Sequence, residues 1–160
     1  MNLALEEICD MIETELTGSA IKKYYIGEVI LVPRSYCPAI MVFGTNTGIA
    51  AKGTAKDQYT YNITIRVVYD VTQFYNEEGV DKIIKAQEEL MNIIAEQETD
   101  GTLKDGTIIA ALRKNIRGEY YLFNDNIEIE YKMLEAQKYF YVSADISLIA
   151  TTDLILRPTL

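Results

Sequence analysis

The side chains that could do chemistry in this sequence are carboxylates, lysines, arginines and tyrosines, because the chain contains no histidine and no tryptophan. Without imidazole, Ser-His-Asp and Cys-His catalytic sets and histidine-ligated zinc or haem sites are excluded. The two cysteines, Cys9 and Cys37, lie too far apart for a C-x-x-C pair, so we expect two small buried thiols. The sequence therefore predicts a protein that is not an enzyme and that has no cofactor and no metal.

Two further sequence patterns match known functional motifs only in part. Gly48 and Gly53 have the spacing of a phosphate-binding loop, but Gly53 is not followed by the Lys-Ser/Thr pair that contacts phosphate and magnesium. Glu128 and Glu130 share a strand face with Lys132, and nothing identifies the carboxylate pair or the sugar-stacking tryptophan of a glycosidase. We interpret these charges as the solvated face of a sheet.

The net charge of −9 is confined to two segments, residues 1–16 with a charge of −5 and residues 77–100 with a charge of −6, while the other residues sum to +2. Apolar residues recur at helical spacing in both segments, so each predicts an amphipathic helix with a solvated acidic face. The predicted buried stripes are Leu5, Ile8, Cys9, Ile12 and Leu16 in the first helix, and Val80, Ile83, Ile84, Leu90, Met91 and Ile94 in the second.

Strand patterns account for most of the remaining chain. Apolar and polar residues alternate from Tyr59 to Tyr69, again over 127–133, and again over 139–150, where a short link predicts a hairpin. Residues 28–32 and 39–43 are shorter strand candidates, and Thr107 caps a predicted third helix over 107–117. This order predicts an α+β fold in one domain over 1–160, an antiparallel β-sheet of about four to five strands covered on one face by two to three α-helices.

Self-association is the binding activity that the sequence favours. Residues 44–57 are small, polar and glycine-rich, which predicts a mobile loop or an arm that projects from the sheet. Tyr139 and Tyr141 are predicted on the polar face of their strand, and exposed tyrosines are enriched at interfaces. The candidate assembly interface consists of Gly44, Asn46, Gly48, Lys52, Gly53 and Lys56 in the loop and of Arg66, Glu128, Glu130, Lys132, Tyr139 and Tyr141 on the sheet.

The order of the predicted elements resembles the tail terminator, or tail completion, proteins of long-tailed bacteriophages. The resemblance rests on an acidic amino-terminal helix, the strand Cys37-Pro-Ala-Ile-Met-Val42, a polar loop, the alternating strand from Tyr59 to Tyr69, an amphipathic helix and a terminal hairpin. It implies a homo-hexameric ring at the head-proximal end of the tail tube, which ends tube polymerisation and docks to the neck. Pro38, Ala39 and Ile40 would begin the first core strand, and loop 44–57 would reach a ring neighbour or the tube.

This resemblance also implies where the protein acts and with what. Its partners would be the tail tube protein and a head-tail connector or neck protein, with genomic DNA passing through the ring without sequence-specific binding. The protein would be made in the host cytoplasm and end in the virion. We expect neither a secretion signal nor a membrane span, because no basic residue precedes position 22 and no apolar run approaches 18 residues. The alternatives are another connector, neck or head-completion subunit, and a small-molecule-binding α+β domain.

Overall fold

A computed structural model describes residues 2–51, 56–71, 79–136 and 139–155 of the chain. Its helices are α1 (Asn2–Glu15), α2 (Gly79–Ala95) and α3 (Ile108–Lys114), and a short 3-10 helix spans Arg34–Tyr36. Its strands are β1 (Lys23–Ile26), β2 (Ala39–Ala51), β3 (Lys56–Asp70), β4 (Leu122–Ala136) and β5 (Tyr139–Ile155). One helix, three strands, two helices and two strands follow one another, which is the predicted order. No helix in these ranges is long and apolar enough to cross a membrane.

The five strands form one sheet in the order β1-β2-β3-β5-β4, so β1 and β4 are its edges. All neighbours are antiparallel except β1 and β2, which run parallel, and the α+β fold is therefore confirmed with a mixed sheet. The prediction of a strand at 28–32 is wrong, because the strand lies at 23–26. The connection between two parallel neighbouring strands must run back along the length of the strands. Residues 27–38 form this connection between β1 and β2.

One face of the sheet carries all three helices and the main core. The predicted alternation is confirmed, since the inward side chains of β3 and β5 are buried with those of the helices. The largest fully buried members include Ile8, Ile12, Ile40, Tyr61, Ile63, Ile65, Leu90, Ile94, Ile108, Leu112 and Ile146. The predicted stripe of α1 is confirmed throughout: Leu5, Ile8, Cys9, Ile12 and Leu16 are all buried.

The predicted stripe of α2 is wrong at two positions. Ala86, Leu90 and Ile94 are fully buried, whereas Ile84 is 46% exposed and Met91 is 51% exposed. At 100° per residue, these two side chains lie about 100–120° from the middle of the buried line. The sequence pattern is apolar over a wider arc than the part of the helix that contacts the sheet and α3.

Residues 44–57, predicted as a loop, instead lie mostly in the sheet. Residues 44–51 continue β2 and residues 56–57 begin β3, with Gly48 opposite Thr60 and Ala51 opposite Asp57. The loop prediction is wrong there because β3 is also paired with β5 as far as Ile155, so cross-strand hydrogen bonds extend a polar segment that composition alone assigns to a loop. Residues 52–55 of the predicted loop lie outside the described ranges.

The second face of the sheet is covered at one end by the connection from β1 to β2. This second, smaller core contains Val32 and Cys37 of the connection, three residues of β2, Val68 of β3 and Tyr141 of β5. Both cysteines are buried thiols, as predicted. The connection thus divides the second face into a covered end and an open end.

Candidate assembly interface

A row of charged side chains crosses the second face where the covered end stops. Arg66 on β3 lies opposite Asp145 on β5, and Asp145 lies opposite Glu130 on the edge strand β4. Residues directly opposite each other in an antiparallel sheet point to the same face. Glu28 of the connection and Lys132 of β4 complete the row.

Asp145 is the centre of this row. The Arg66 guanidinium donates to it twice, from Nε at 2.7 Å and from a terminal nitrogen at 3.1 Å, and the Lys132 Nζ donates at 3.2 Å. The Arg66 side chain also donates to Glu28 at 2.9 Å and lies 5.1 Å from the centre of the Phe43 ring. Only 17% of the Arg66 side chain and 10% of the Asp145 side chain are exposed, so the pair is held away from water.

The electrostatics of the row favour charged side chains. Burial alone would raise the pKa of Asp145, but the hydrogen bonds and positive charges of Arg66 and Lys132 outweigh it and lower that pKa. The hydrogen bond to Asp145 raises the pKa of both Arg66 and Lys132. The charges of Arg66 and Asp145 are therefore used inside the subunit, which makes this pair a structural element rather than a reactive site, whereas Glu130 is 72% exposed.

Beyond this row the second face is open and polar. A recess of about 410 Å³ lies between β2 and β4, and its lining includes Asn46, Asn62, Thr64, Glu128 and Ser147. The Asn62 side chain donates to the Asn46 side chain across β2 and β3. Two predicted interface residues, Asn46 and Glu128, are thereby brought to one surface.

Two of the predicted interface residues are not available for assembly. Tyr141 is only 3% exposed, and its hydroxyl donates to the Val32 carbonyl at 2.9 Å, so its predicted exposure is wrong. The alternation of β5 assigned it correctly to the second face, but the connection covers that end. Arg66 also lies on the predicted face, yet its guanidinium is tied to Asp145 and Glu28.

The other predicted residues are placed as follows. Glu128 and Glu130 are exposed on β4, and Lys132, partly buried, points toward Asp145. Gly44 and Gly48 lie in β2, where residue pairing shifts between Gly44 and Asn46. Lys56 begins β3 and Tyr139 begins β5, but their side chains are not described. Lys52 and Gly53 lie outside the described ranges.

One exposed apolar surface on the sheet was predicted as core. Ile129, Tyr131 and Met133 of β4 lie opposite Ile146, Ala144 and Val142 of β5, so they point to the helix-covered face. They are nevertheless 36%, 46% and 51% exposed, because β4 is an edge strand and the helices pack mainly on β1, β2, β3 and β5. We call these three residues the β4 edge patch. Their alternation predicts the face correctly but contains no signal of an edge.

The opposite edge of the sheet also exposes apolar side chains. Ile26 of β1, on the helix-covered face opposite Val42, is 51% exposed, and Leu31 and Ile30 in the following connection are 37% and 94% exposed. On the second face of the same strand, Lys23 is exposed and its Nζ lies 5.7 Å from the ring centres of Tyr25 and Tyr36. We call Ile26, Ile30 and Leu31 the β1 edge patch.

No family model and no curated protein sequence matches this chain.

Proposed function

We propose that this protein is a structural subunit of a long-tailed bacteriophage that forms a hexameric ring at the head-proximal end of the tail tube. The ring ends tube polymerisation and docks to a connector or neck protein, and genomic DNA passes through it without sequence-specific contacts. The protein is made in the host cytoplasm and becomes part of the virion. The proposal combines the resemblance of the sequence to tail terminator proteins with the surface of the sheet.

The observation that carries the proposal is the presence of two different exposed apolar surfaces at opposite edges of one sheet. A ring forms when one surface of a subunit binds a different surface of the next, and the rotation closes. The β4 edge patch and the β1 edge patch meet the first requirement. Exposed groups of large apolar side chains are typical of protein interaction sites.

The chemistry of the second face supports a structural role. Its most strongly held charges, on Arg66 and Asp145, stabilise the subunit itself. Among the described residues, no group of three or more cysteine, aspartate or glutamate side chains is arranged to hold a metal ion. The open recess is shallow and lined by amide, hydroxyl and carboxylate groups, which suit contact with another protein surface.

The first test of the proposal is the size of the purified protein. Six chains of 18.1 kDa give a ring of about 109 kDa. Light scattering over a range of concentrations should show this mass, and negative-stain images should show six-fold rings. A protein that stays at 18.1 kDa at the highest concentration, also with tail tube subunits present, contradicts the proposal.

The second test separates tail termination from other ring functions. Purified tail tube subunits should polymerise into shorter tubes when the protein is added, and the ring should be visible at one end of each tube. A ring that forms but leaves tube length unchanged would favour a connector or neck subunit instead.

A further inference from the structure

We infer that two neighbouring copies join by antiparallel pairing of β4 of one copy with β1 of the next, so that the sheet continues from subunit to subunit. This inference deepens the ring proposal and names its contact. Edge strands present unpaired backbone N–H and C=O groups, which makes them templates for pairing with another chain.

Strand direction supports this pairing. β1 and β2 run the same way, and each following neighbour in the order β2-β3-β5-β4 runs opposite to the one before it. β4 therefore runs antiparallel to β1 of the same chain. A second copy placed beside the first in the same orientation would bring its β1 against β4 in the antiparallel arrangement.

The distribution of side chains between the two faces supports it as well. On the helix-covered face, β4 exposes Ile129, Tyr131 and Met133, and β1 exposes Ile26. A continuous sheet would place these apolar side chains on the same side, where cross-strand neighbours pack against each other. With Lys23 opposite Glu130, Ile26 lies opposite Ile127 and diagonal to Ile129, so the pairing would cover the beginning of the β4 edge patch.

Charge complementarity selects the same partner on the second face. There β4 presents Glu128 and Glu130, because Lys132 is turned toward Asp145. β1 presents Lys23 on this face, with Lys22 beside it in sequence. Two copies of β4 paired with each other would bring like charges together, whereas β4 paired with β1 brings opposite charges together, and opposite pairs across strands are favourable. The occupant of the β4 edge is therefore β1 of a second copy.

Cross-linking tests this contact directly. Residues opposite each other in antiparallel strands have Cα atoms about 4.5–5.5 Å apart, within reach of a disulfide or a short bis-maleimide. The buried Cys9 and Cys37 can stay in place. A variant with both Lys23→Cys and Glu130→Cys should give a ladder of covalent oligomers that ends at the closed ring. Each single variant should give no cross-linked product, and Glu128→Cys in place of Glu130→Cys tests the next position on the same face.

Charge and surface variants test the energetics. Glu128→Lys with Glu130→Lys should abolish assembly, as should Lys22→Glu with Lys23→Glu, and mixing the two proteins should restore association between them. Ile129→Lys should weaken assembly at least tenfold. Ile84→Lys on α2 is the matched control, because Ile129 and Ile84 are isoleucines that are 36% and 46% exposed, and it should leave assembly unchanged. Far-UV circular dichroism confirms that each variant folds.

The outcomes distinguish this contact from the ring proposal. Rings that form without any cross-link from the double-cysteine variants overturn the β4-to-β1 contact and leave the ring proposal standing. Cross-linked dimers from Glu130→Cys alone mean that β4 pairs with β4, and they overturn the contact as well. A ladder of covalent oligomers without any effect on tail tubes supports the contact and contradicts tail termination. A monomer at every concentration overturns both.

Discussion

Replacing Asp145 with asparagine tests the charged row that separates the two ends of the second face. The change keeps the size of the side chain and removes its charge. Asp145 accepts two hydrogen bonds from Arg66 and one from Lys132, at 2.7, 3.1 and 3.2 Å. We expect Asp145→Asn to leave the fold intact and to lower the free energy of unfolding.

The size of the effect follows from burial and from the remaining partners. A hydrogen bond to a charged group contributes about 1.5–3 kcal/mol, and removing one partner of a fully buried ion pair costs about 3–5 kcal/mol. Here Arg66 keeps its contact with Glu28, Lys132 is 36% exposed, and the asparagine oxygen can still accept one hydrogen bond. We therefore expect a loss of about 2 kcal/mol at pH 7.

The lowered pKa of Asp145 determines how the loss of stability in Asp145→Asn depends on pH. The pKa of Asp145 is lowered in the folded protein, so its stabilising contribution is complete above the unfolded value of about 4 and is lost as the pH falls through the folded pKa. The difference in unfolding free energy between the wild-type protein and Asp145→Asn should be constant from pH 8 to pH 5. It should shrink only in more acidic solution.

Urea denaturation followed by far-UV circular dichroism measures this difference at each pH. Glu130→Gln is the matched control on the same face, because Glu130 is 72% exposed and lies 3.6 Å from Lys132. An exposed pair of this kind contributes about 0–1 kcal/mol. The reasoning is refuted if Asp145→Asn costs no more than Glu130→Gln, or if the difference already shrinks above pH 5.

Three further predictions concern the subunit itself. Tyr141→Phe removes the hydroxyl that donates to the Val32 carbonyl, and it should lower the free energy of unfolding by about 1 kcal/mol in urea denaturation; no loss would show that this carbonyl needs no partner. Gly118→Ala should lower the melting temperature by several degrees, because its methyl group would overlap the Glu7 carboxylate, whereas Gly48→Ala, with 3.9 Å of space, should not. Both thiols should react with maleimide at pH 8 only after unfolding, because burial raises their pKa to about 11 and about 12; rapid labelling of the native protein would contradict this.

The loss expected for Gly118→Ala has a specific structural cause. The Glu7 carboxylate of α1 accepts hydrogen bonds from the backbone N–H groups of Glu119 at 2.6 Å and Tyr120 at 2.8 Å. These bonds fasten the amino-terminal helix to the segment that precedes β4. A side chain at position 118 would push the carboxylate away from both donors. The same segment is held to β4 by the backbone bond from the Phe123 N–H to the Ile116 carbonyl at 2.9 Å.

The parts of the fold that sequence predicts well depend on local periodicity. The stripe of α1 and the alternation of β3 and β5 are visible within about 15 residues, because a helix or strand with one buried face repeats its pattern locally. The Thr107 cap was predicted in the same way, and its hydroxyl accepts from the Ala110 N–H at 3.3 Å. The N-cap, the faces of the strands and the order of the elements can therefore be predicted without knowledge of the long-range contacts.

The parts that sequence misses depend on which elements become neighbours. Tyr141 is buried because residues 28–37 cross over it, and the β4 edge patch is exposed because β5, rather than β4, pairs with β3. Residues 44–51 form a strand because they pair with β3, whose other edge is paired with β5. None of these facts is present in the local pattern. Of the predicted interface residues, Asn46, Glu128 and Glu130 lie on the open surface. The two edge patches, in contrast, depend on the strand order, which the local pattern does not contain.

The pairing of β3 with β5 sets a condition on how the chain can fold. In this pairing, Lys56 lies opposite Ile155 at one end and Asp70 lies opposite Tyr141 at the other. The middle of the sheet therefore consists of two segments that are far apart in sequence. Proteins dominated by such non-local pairings fold in milliseconds to seconds, because a long loop must close before the contacts form. While the ribosome is still making β5, β3 has an unpaired edge. A nascent chain stalled before residue 139 would leave this edge of β3 unpaired, and an unpaired strand edge is a template for aggregation.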